Sequence, residues 1–227
     1  MKTLLWNNLT GQEQLEALNR PALESSDQVS QIVRDVVSQV KQRGDLAVQE
    51  YTSKFDGVVL ENFEVTDQEM EKAESLVSSE SREAMLQAIS NITRFHEAQR
   101  TTVTSVETMP GVLCRRESRP IERVGLYVPG GTAPLPSTVM MLAVPAALAR
   151  CPVRVLCTPP NKEGVIDPHI LMAAKLTGIN KVYKIGGAQA VAAMAFGTET
   201  VPSVNKIFGP GNRWVTEAKL QVSLDPM

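Results

Sequence analysis

The sequence predicts an α/β fold. A helical region with an extended linker spans residues 1–122, and a parallel-sheet unit spans residues 123–227. Three observations predict it. From Arg123 onward, short apolar runs alternate with helical patterns four times in succession, which implies a parallel sheet with right-handed crossovers. Those runs are continuously apolar, as strands covered on both faces are. Three of them end in glycine turns that lead straight into helices, the geometry of a ligand-binding sheet edge.

The helical region comes first. Ser26 or Asp27 is placed to cap a helix whose apolar residues Val29, Ile32, Val33, Val36, Val37 and Val40 keep helical spacing. Gly44 ends it in the C′ position. A second helix carries Leu46, Ala47 and Tyr51 and stops near Asp56-Gly57. Thr66-x-x-Glu69 is a capping box that opens a third. Residues 79–100 read as a fourth, with Ala84, Met85, Ala88, Ile89, Ile92 and Phe95 as its buried stripe. Without a further partner surface, the stripes holding Val29, Val33, Val36, Ile89, Ile92 and Phe95 are expected to stay partly uncovered, which favours an intimate oligomer. Residues 101–123 read as linker, with an extended segment near Val112 to Arg116. The sheet unit then pairs strands 124–128, 153–157, 181–185 and 205–208 with helices 137–149, 168–177, 189–196 and 212–222.

The three turns are Pro129-Gly130-Gly131-Thr132, Gly186-Gly187-Ala188-Gln189 and Gly209-Pro210-Gly211-Asn212. Glycine tolerates positive φ and lets a ligand approach bare backbone. A helix N-terminus beyond it offers unpaired N–H groups and partial positive charge. The turns therefore suit an anionic or dinucleotide ligand, although glycine also serves turn geometry alone. Tyr127 precedes the first turn, as packing with a satisfied hydroxyl or as a ligand contact. Gln189, able to donate and accept, is placed either to cap its helix or to bind a ligand. Asn212 offers the same choice. The ordinary dinucleotide fingerprint is missing: no turn reads Gly-x-Gly-x-x-Gly, and no acidic residue follows the second strand, which runs into Thr158-Pro159-Pro160.

Other functions are disfavoured by composition. Net charge is −2 with no basic stripe, which argues against nucleic acid as a partner. No apolar run reaches membrane-spanning length, and the first residues lack a signal-peptide core, so a cytoplasmic protein is expected. The three cysteines, Cys114, Cys151 and Cys157, form no paired spacing. His96 and His169 stand far apart, so a metal site from this chain alone is not expected. His96 reads as a helix-end histidine interacting with the dipole, and His169 as a surface residue at a helix start. Cys157 reads as a buried, inert thiol. Arg115-Arg116-Glu117-Ser118-Arg119 reads as a solvated edge strand.

The long motifs carry a resemblance. Residues 124–146, Val-Gly-Leu-Tyr-Val-Pro-Gly-Gly-Thr-Ala-Pro-Leu-Pro-Ser-Thr-Val-Met-Met-Leu-Ala-Val-Pro-Ala, resemble histidinol dehydrogenase. So do Ile185-Gly-Gly-Ala-Gln-Ala190, residues 195–202 and Lys206-Ile-Phe-Gly-Pro-Gly-Asn212. Arg43-Gly-Asp-Leu-Ala47 and Lys54-Phe-Asp56 fit the same family. The resemblance implies NAD-dependent oxidation of L-histidinol to L-histidine through the aldehyde, the last step of histidine biosynthesis. It implies a bound zinc ion, a homodimer, and an incomplete Rossmann-like domain related to the aldehyde dehydrogenase architecture. It places NAD contacts on Tyr127, Gln189 and Asn212. It also implies that zinc ligands, the acid–base pair and most substrate contacts lie beyond residue 227, so that this chain is the N-terminal part, inactive alone and without catalytic or metal residues of its own. The competing expectations are a nucleotide-binding module that never catalyses and a regulatory remnant that pairs with a full-length subunit.

Overall fold

A computed structural model of the chain describes residues 3–18, 26–131, 133–179 and 181–225. Its elements run α1 (Gly11–Leu18), α2 (Ser26–Arg43), α3 (Asp45–Asp56), α4 (Asp67–Leu76) and α5 (Ser79–Glu97). The hairpin β1 (Thr104–Met109) and β2 (Val112–Arg116) follows, then β3 (Arg123–Tyr127), α6 (Pro136–Leu148), β4 (Val153–Thr158) and α7 (Pro168–Leu176). The chain closes with β5 (Lys181–Lys184), α8 (Gly187–Phe196), β6 (Lys206–Phe208) and α9 (Arg213–Leu224).

Local chemistry explains the boundaries. Thr66 and Glu69 form the reciprocal capping box at the start of α4. Ser78 caps α5 by accepting from the Ser81 N–H. Asp167 caps α7, with Pro168 in the first turn where its missing N–H costs nothing. Gly44 and Gly57 both take positive φ at helix boundaries. The start of α2 lies next to residues outside the described set, so the choice between Ser26 and Asp27 as cap falls outside it too.

Strands β3, β4, β5 and β6 form one parallel sheet in the order β5-β4-β3-β6. The chain steps outward from β3 through β4 to β5, then crosses back to pair β6 on the other side of β3. That reversal is a topological switch point. The crossovers place α6 and α7 on one face, where they pack with α5 and α4, and α8 and α9 on the other, where they pack with α2 and α3. Side chains alternate accordingly. Val124, Leu126, Leu156 and Val182 join the α6–α7 core; Tyr127, Val155, Cys157, Tyr183 and Ile185 join the α8–α9 core. Residues on either side of position 122 thus share both cores.

Two expectations need correction, and a third is met. The linker contains a strand that the sequence reading passed over: β1 pairs with β2 around Pro110-Gly111, with Gly111 at φ 82°. The Pro-Gly pair between two β-rich runs was the available signal. The α5 stripe stays partly uncovered, as expected: Met85 is buried and Ala88, Ile89 and Ile92 are half-buried against the α6–α7 core, while Ala84 and Phe95 are exposed, Phe95 at 65%. The α2 stripe, by contrast, needs no second chain. Val29, Val33 and Val36 are buried against α8 and α9 of the same chain.

Candidate functional site

The carboxyl ends of β3, β5 and β6 bring the three turns together. Gly209, at φ 129°, lies so close to β3 that a Cβ there would stand 2.0 Å from the Tyr127 carbonyl oxygen. Pro159, just beyond β4, wedges between the other two turns: a Cβ would meet it at 2.6 Å from Gly130 and 2.5 Å from Gly186. These three glycines are therefore required by backbone-to-backbone and proline packing. Gly131 has open space around it, with the nearest neighbour at 4.0 Å. Thr132 lies outside the described residues. Beside Gly130 and Pro159 opens a cleft of about 310 Å³ lined mostly by prolines and other apolar residues, with Thr158, Asn161 and Asp167 as its polar side chains.

Tyr127 is buried, and its hydroxyl accepts the Gly187 N–H at 3.0 Å. Burial chiefly, and the negative charge of Asp56 in addition, push that hydroxyl up to about 12, partly offset by the Gly187 hydrogen bond. The satisfied-hydroxyl reading of Tyr127 holds, and the hydroxyl also pins the first residue of α8.

Gln189 is 1% exposed and does not cap its helix: Gly186 is the N-cap, with no side-chain cap bond. Its amide folds back over the turn. A Cβ on Gly187, at φ 63°, would stand 2.7 Å from Gln189 Oε1, so this glycine is set by the glutamine itself. Gln189 Nε2 donates to Asp56 Oδ2 at 3.3 Å, and Gln189 Oε1 is buried without a partner. A buried amide oxygen left unpaired costs free energy, of order 1–3 kcal/mol. Such a group at a ligand edge is an acceptor waiting for a donor.

Asn212 is exposed and caps α9; its Oδ1 accepts from the Trp214 and Val215 N–H groups at 3.1 Å each. One α9 cation reaches the same turn, Lys219, whose Nζ donates to the Gly209 carbonyl at 2.5 Å and whose ammonium burial pushes down. Cys157 is fully buried and its thiol is pushed strongly up, the state of an inert thiol. His96 sits in the last turn of α5 with Nδ1 2.8 Å from Gln99 Oε1. His169 is half-buried, its Nδ1 3.1 Å from the Asp167 carboxylate. The arginine run is exposed, with Glu117 between Arg115 and Arg119. Among the described residues no three His, Cys, Asp or Glu side chains stand close enough to hold a metal ion.

The structure thus joins Tyr127 and Gln189 through Gly187 and sets Asn212 on the adjacent turn. Sequence reading missed Asp56, Pro159 and Lys219. Asp56 carried a signal: it is the last residue of α3, where the helix dipole disfavours an acidic side chain, so its place serves something other than helix stability.

The family model described as histidinol dehydrogenase matches residues 18–226. A histidinol dehydrogenase of Xanthomonas campestris pv. campestris is 52% identical over 223 residues, which are 98% of this chain and 52% of that protein. One from Vibrio vulnificus is 50% identical over 225 residues, 99% of this chain and 51% of that one. The crystal structure of histidinol dehydrogenase from Elizabethkingia anophelis superposes with a TM-score of 0.89 at 46% identity, over 95% of this chain and 50% of the other. The chain spans about half the length of the curated relatives it matches.

Proposed function

The chain belongs to the histidinol dehydrogenase family, and we propose that it carries the NAD-binding part of the oxidation of L-histidinol to L-histidine through histidinal. The reading extends to a cytoplasmic protein that works as a homodimer. No helix among the described residues is long and apolar enough to cross a membrane.

The observation that carries the cofactor reading is the buried, unpartnered Gln189 Oε1 at the end of the sheet. It fits a ligand that brings an N–H or O–H donor, which a nicotinamide carboxamide or a ribose both do. NAD, when bound, supplies the hydride acceptor. The chain's own residues bind and orient it. Gln189 Oε1 would accept from the bound cofactor, and the positive end of α8 and the Lys219 ammonium beside the Gly209 turn would supply positive charge for its phosphates. Tyr127 holds Gly187, and through it the start of α8, in place. Asn212 fixes the start of α9, and its amide nitrogen is the end of that side chain left for a ligand.

Zinc does not fit the residues described. Metal-assisted oxidation needs several ligands and an open position, and no such group is present among them. That donor set also favours a second reading, a nucleotide-binding module without turnover of its own. Calorimetric titration of the 227-residue chain with NAD, followed by absorbance assay with zinc, NAD and L-histidinol, tests both. Saturable NAD binding without NADH formation is expected. Absence of binding overturns the cofactor reading; sustained turnover by the chain alone overturns the statement that its chemistry is supplied elsewhere.

A further inference from the structure

Asp56 is the outlier of the nucleotide edge. It ends α3, in the helical region, yet its carboxylate reaches Gln189 on α8 across the α3–α8 contact. Among the described residues no cation is paired with it: the Lys54 ammonium on its own helix lies over the Phe55 ring, and α8 carries no charged residue from Gly187 to Phe196. The titratable group set against it from β3 is the Tyr127 hydroxyl, protonated at neutral pH; on α2, which also packs on α3, Asp35 accepts from the Tyr51 hydroxyl and Arg43 pairs with Glu50. Burial alone pushes the Asp56 carboxyl up to about 6. A carboxylate held in this way, at the negative end of a helix and with one long amide bond, weakens the fold. Thr52, one turn earlier on the same face of α3, is also fully buried with its hydroxyl unpartnered.

The arrangement decides which end of the Gln189 amide meets a ligand. A carboxylate only accepts, so it selects the amide NH₂ and leaves Oε1 turned toward Gly187. A protonated carboxyl donates as well, and then the amide oxygen competes for it.

Resting on the NAD reading above, we propose that Asp56 is a positioning residue of the nucleotide edge: its carboxylate holds Gln189 Nε2 so that Oε1 is the acceptor presented to the donor of NAD. Two consequences distinguish it from a residue that merely packs. NAD affinity falls as Asp56 takes up its proton, below about pH 6. Asp56→Asn, which keeps shape and removes the fixed polarity, abolishes that pH dependence.

The test is calorimetric titration of the full chain with NAD at pH 7.5 and pH 5.5, parent against Asp56→Asn, together with the side-chain ¹⁵NH₂ resonance of Gln189 followed from pH 5 to pH 8. At pH 7.5 the variant is expected to bind about threefold to tenfold more weakly, the worth of one oriented hydrogen bond. At pH 5.5 parent and variant converge. The Gln189 amide signal shifts with a midpoint near pH 6 in the parent and is flat in the variant. Asp56→Glu tests reach: with the carboxylate kept, it restores part of the pH dependence. Equal affinity and parallel pH profiles for parent and Asp56→Asn overturn the proposal. An amide signal that ignores Asp56 overturns the contact itself. A chain that binds no NAD at either pH while its Gln189 signal still titrates with Asp56 overturns the cofactor reading and the ligand half of the proposal together.

Discussion

The two sheets of this chain face opposite conditions. In the four-stranded sheet nearly every residue of β3, β4 and β5 is buried or half-buried, with helices on both faces. In the β1–β2 hairpin every residue is exposed, Val106, Met109, Val112 and Leu113 included. An isolated two-stranded hairpin is marginal in water. The sheet unit therefore fixes the geometry of its glycine-turn edge from within the chain, whereas the hairpin draws almost no packing energy from it. Substitutions of the same type in the two sheets should consequently have very different costs.

The largest contrast lies in the turn glycines. Gly209→Ala drives a Cβ into the Tyr127 carbonyl and should cost about 3 kcal/mol or more, with loss of soluble folded protein. Gly111→Ala meets nothing within 4 Å and pays only for its positive φ, about 1 kcal/mol confined to the hairpin. Chemical denaturation of both variants measures the difference; equal midpoints would mean that the sheet edge tolerates a backbone shift it is here said to forbid.

Core truncation gives the next contrast. Leu156→Ala empties a fully buried position of β4 and should cost about 2–5 kcal/mol. Leu113→Ala, 63% exposed in β2, should stay within about 0.5 kcal/mol. A large loss for Leu113→Ala would show that the hairpin is covered in solution, by a second copy or another partner.

A smaller effect separates the site from its scaffold. The folded carboxyl of Asp56 titrates higher than the unfolded one, about 6 against 3.8. The folded state thus holds the proton more tightly, so this group's contribution is most favourable below about pH 4 and is lost as pH rises through about 6. Asp56→Asn should accordingly stabilise the chain at pH 7.5 by about 1 kcal/mol, after allowance for solvent screening of a part-exposed carboxylate. At pH 4 it should change little. Thermal unfolding at the two pH values checks the sign. A variant less stable at pH 7.5 would mean that the carboxylate is compensated in a way the structure does not contain.

The same contrast explains what was legible in the sequence. The sheet unit was readable because its strands are continuous apolar runs and its turns are glycine pairs, so Val124, Leu156 and Val182 announce themselves. The capping box at Thr66 and Glu69 was readable because both partners lie within four residues. Strand β1 was passed over because its residues, Thr104 to Met109, bury nothing and so carry no hydrophobic pattern. That the α5 stripe would be partly bare was readable, but which of its residues lie bare was not, because helical spacing shows which residues share a face, not how far another element reaches along it. In the site, Tyr127 and Gln189 stood next to their turns. Asp56 is 133 positions from Gln189, and only the packing of α3 on α8 brings the two together.

The central claim is that the sheet edge, through Gln189 Oε1, binds the cofactor. Its most direct test is NAD titration of the parent chain and Gln189→Ala, with Leu113→Ala as the hairpin control. The account predicts saturable binding by the parent, affinity weaker by about 1–3 kcal/mol for Gln189→Ala, and parental affinity for Leu113→Ala. Parental affinity for Gln189→Ala would contradict it.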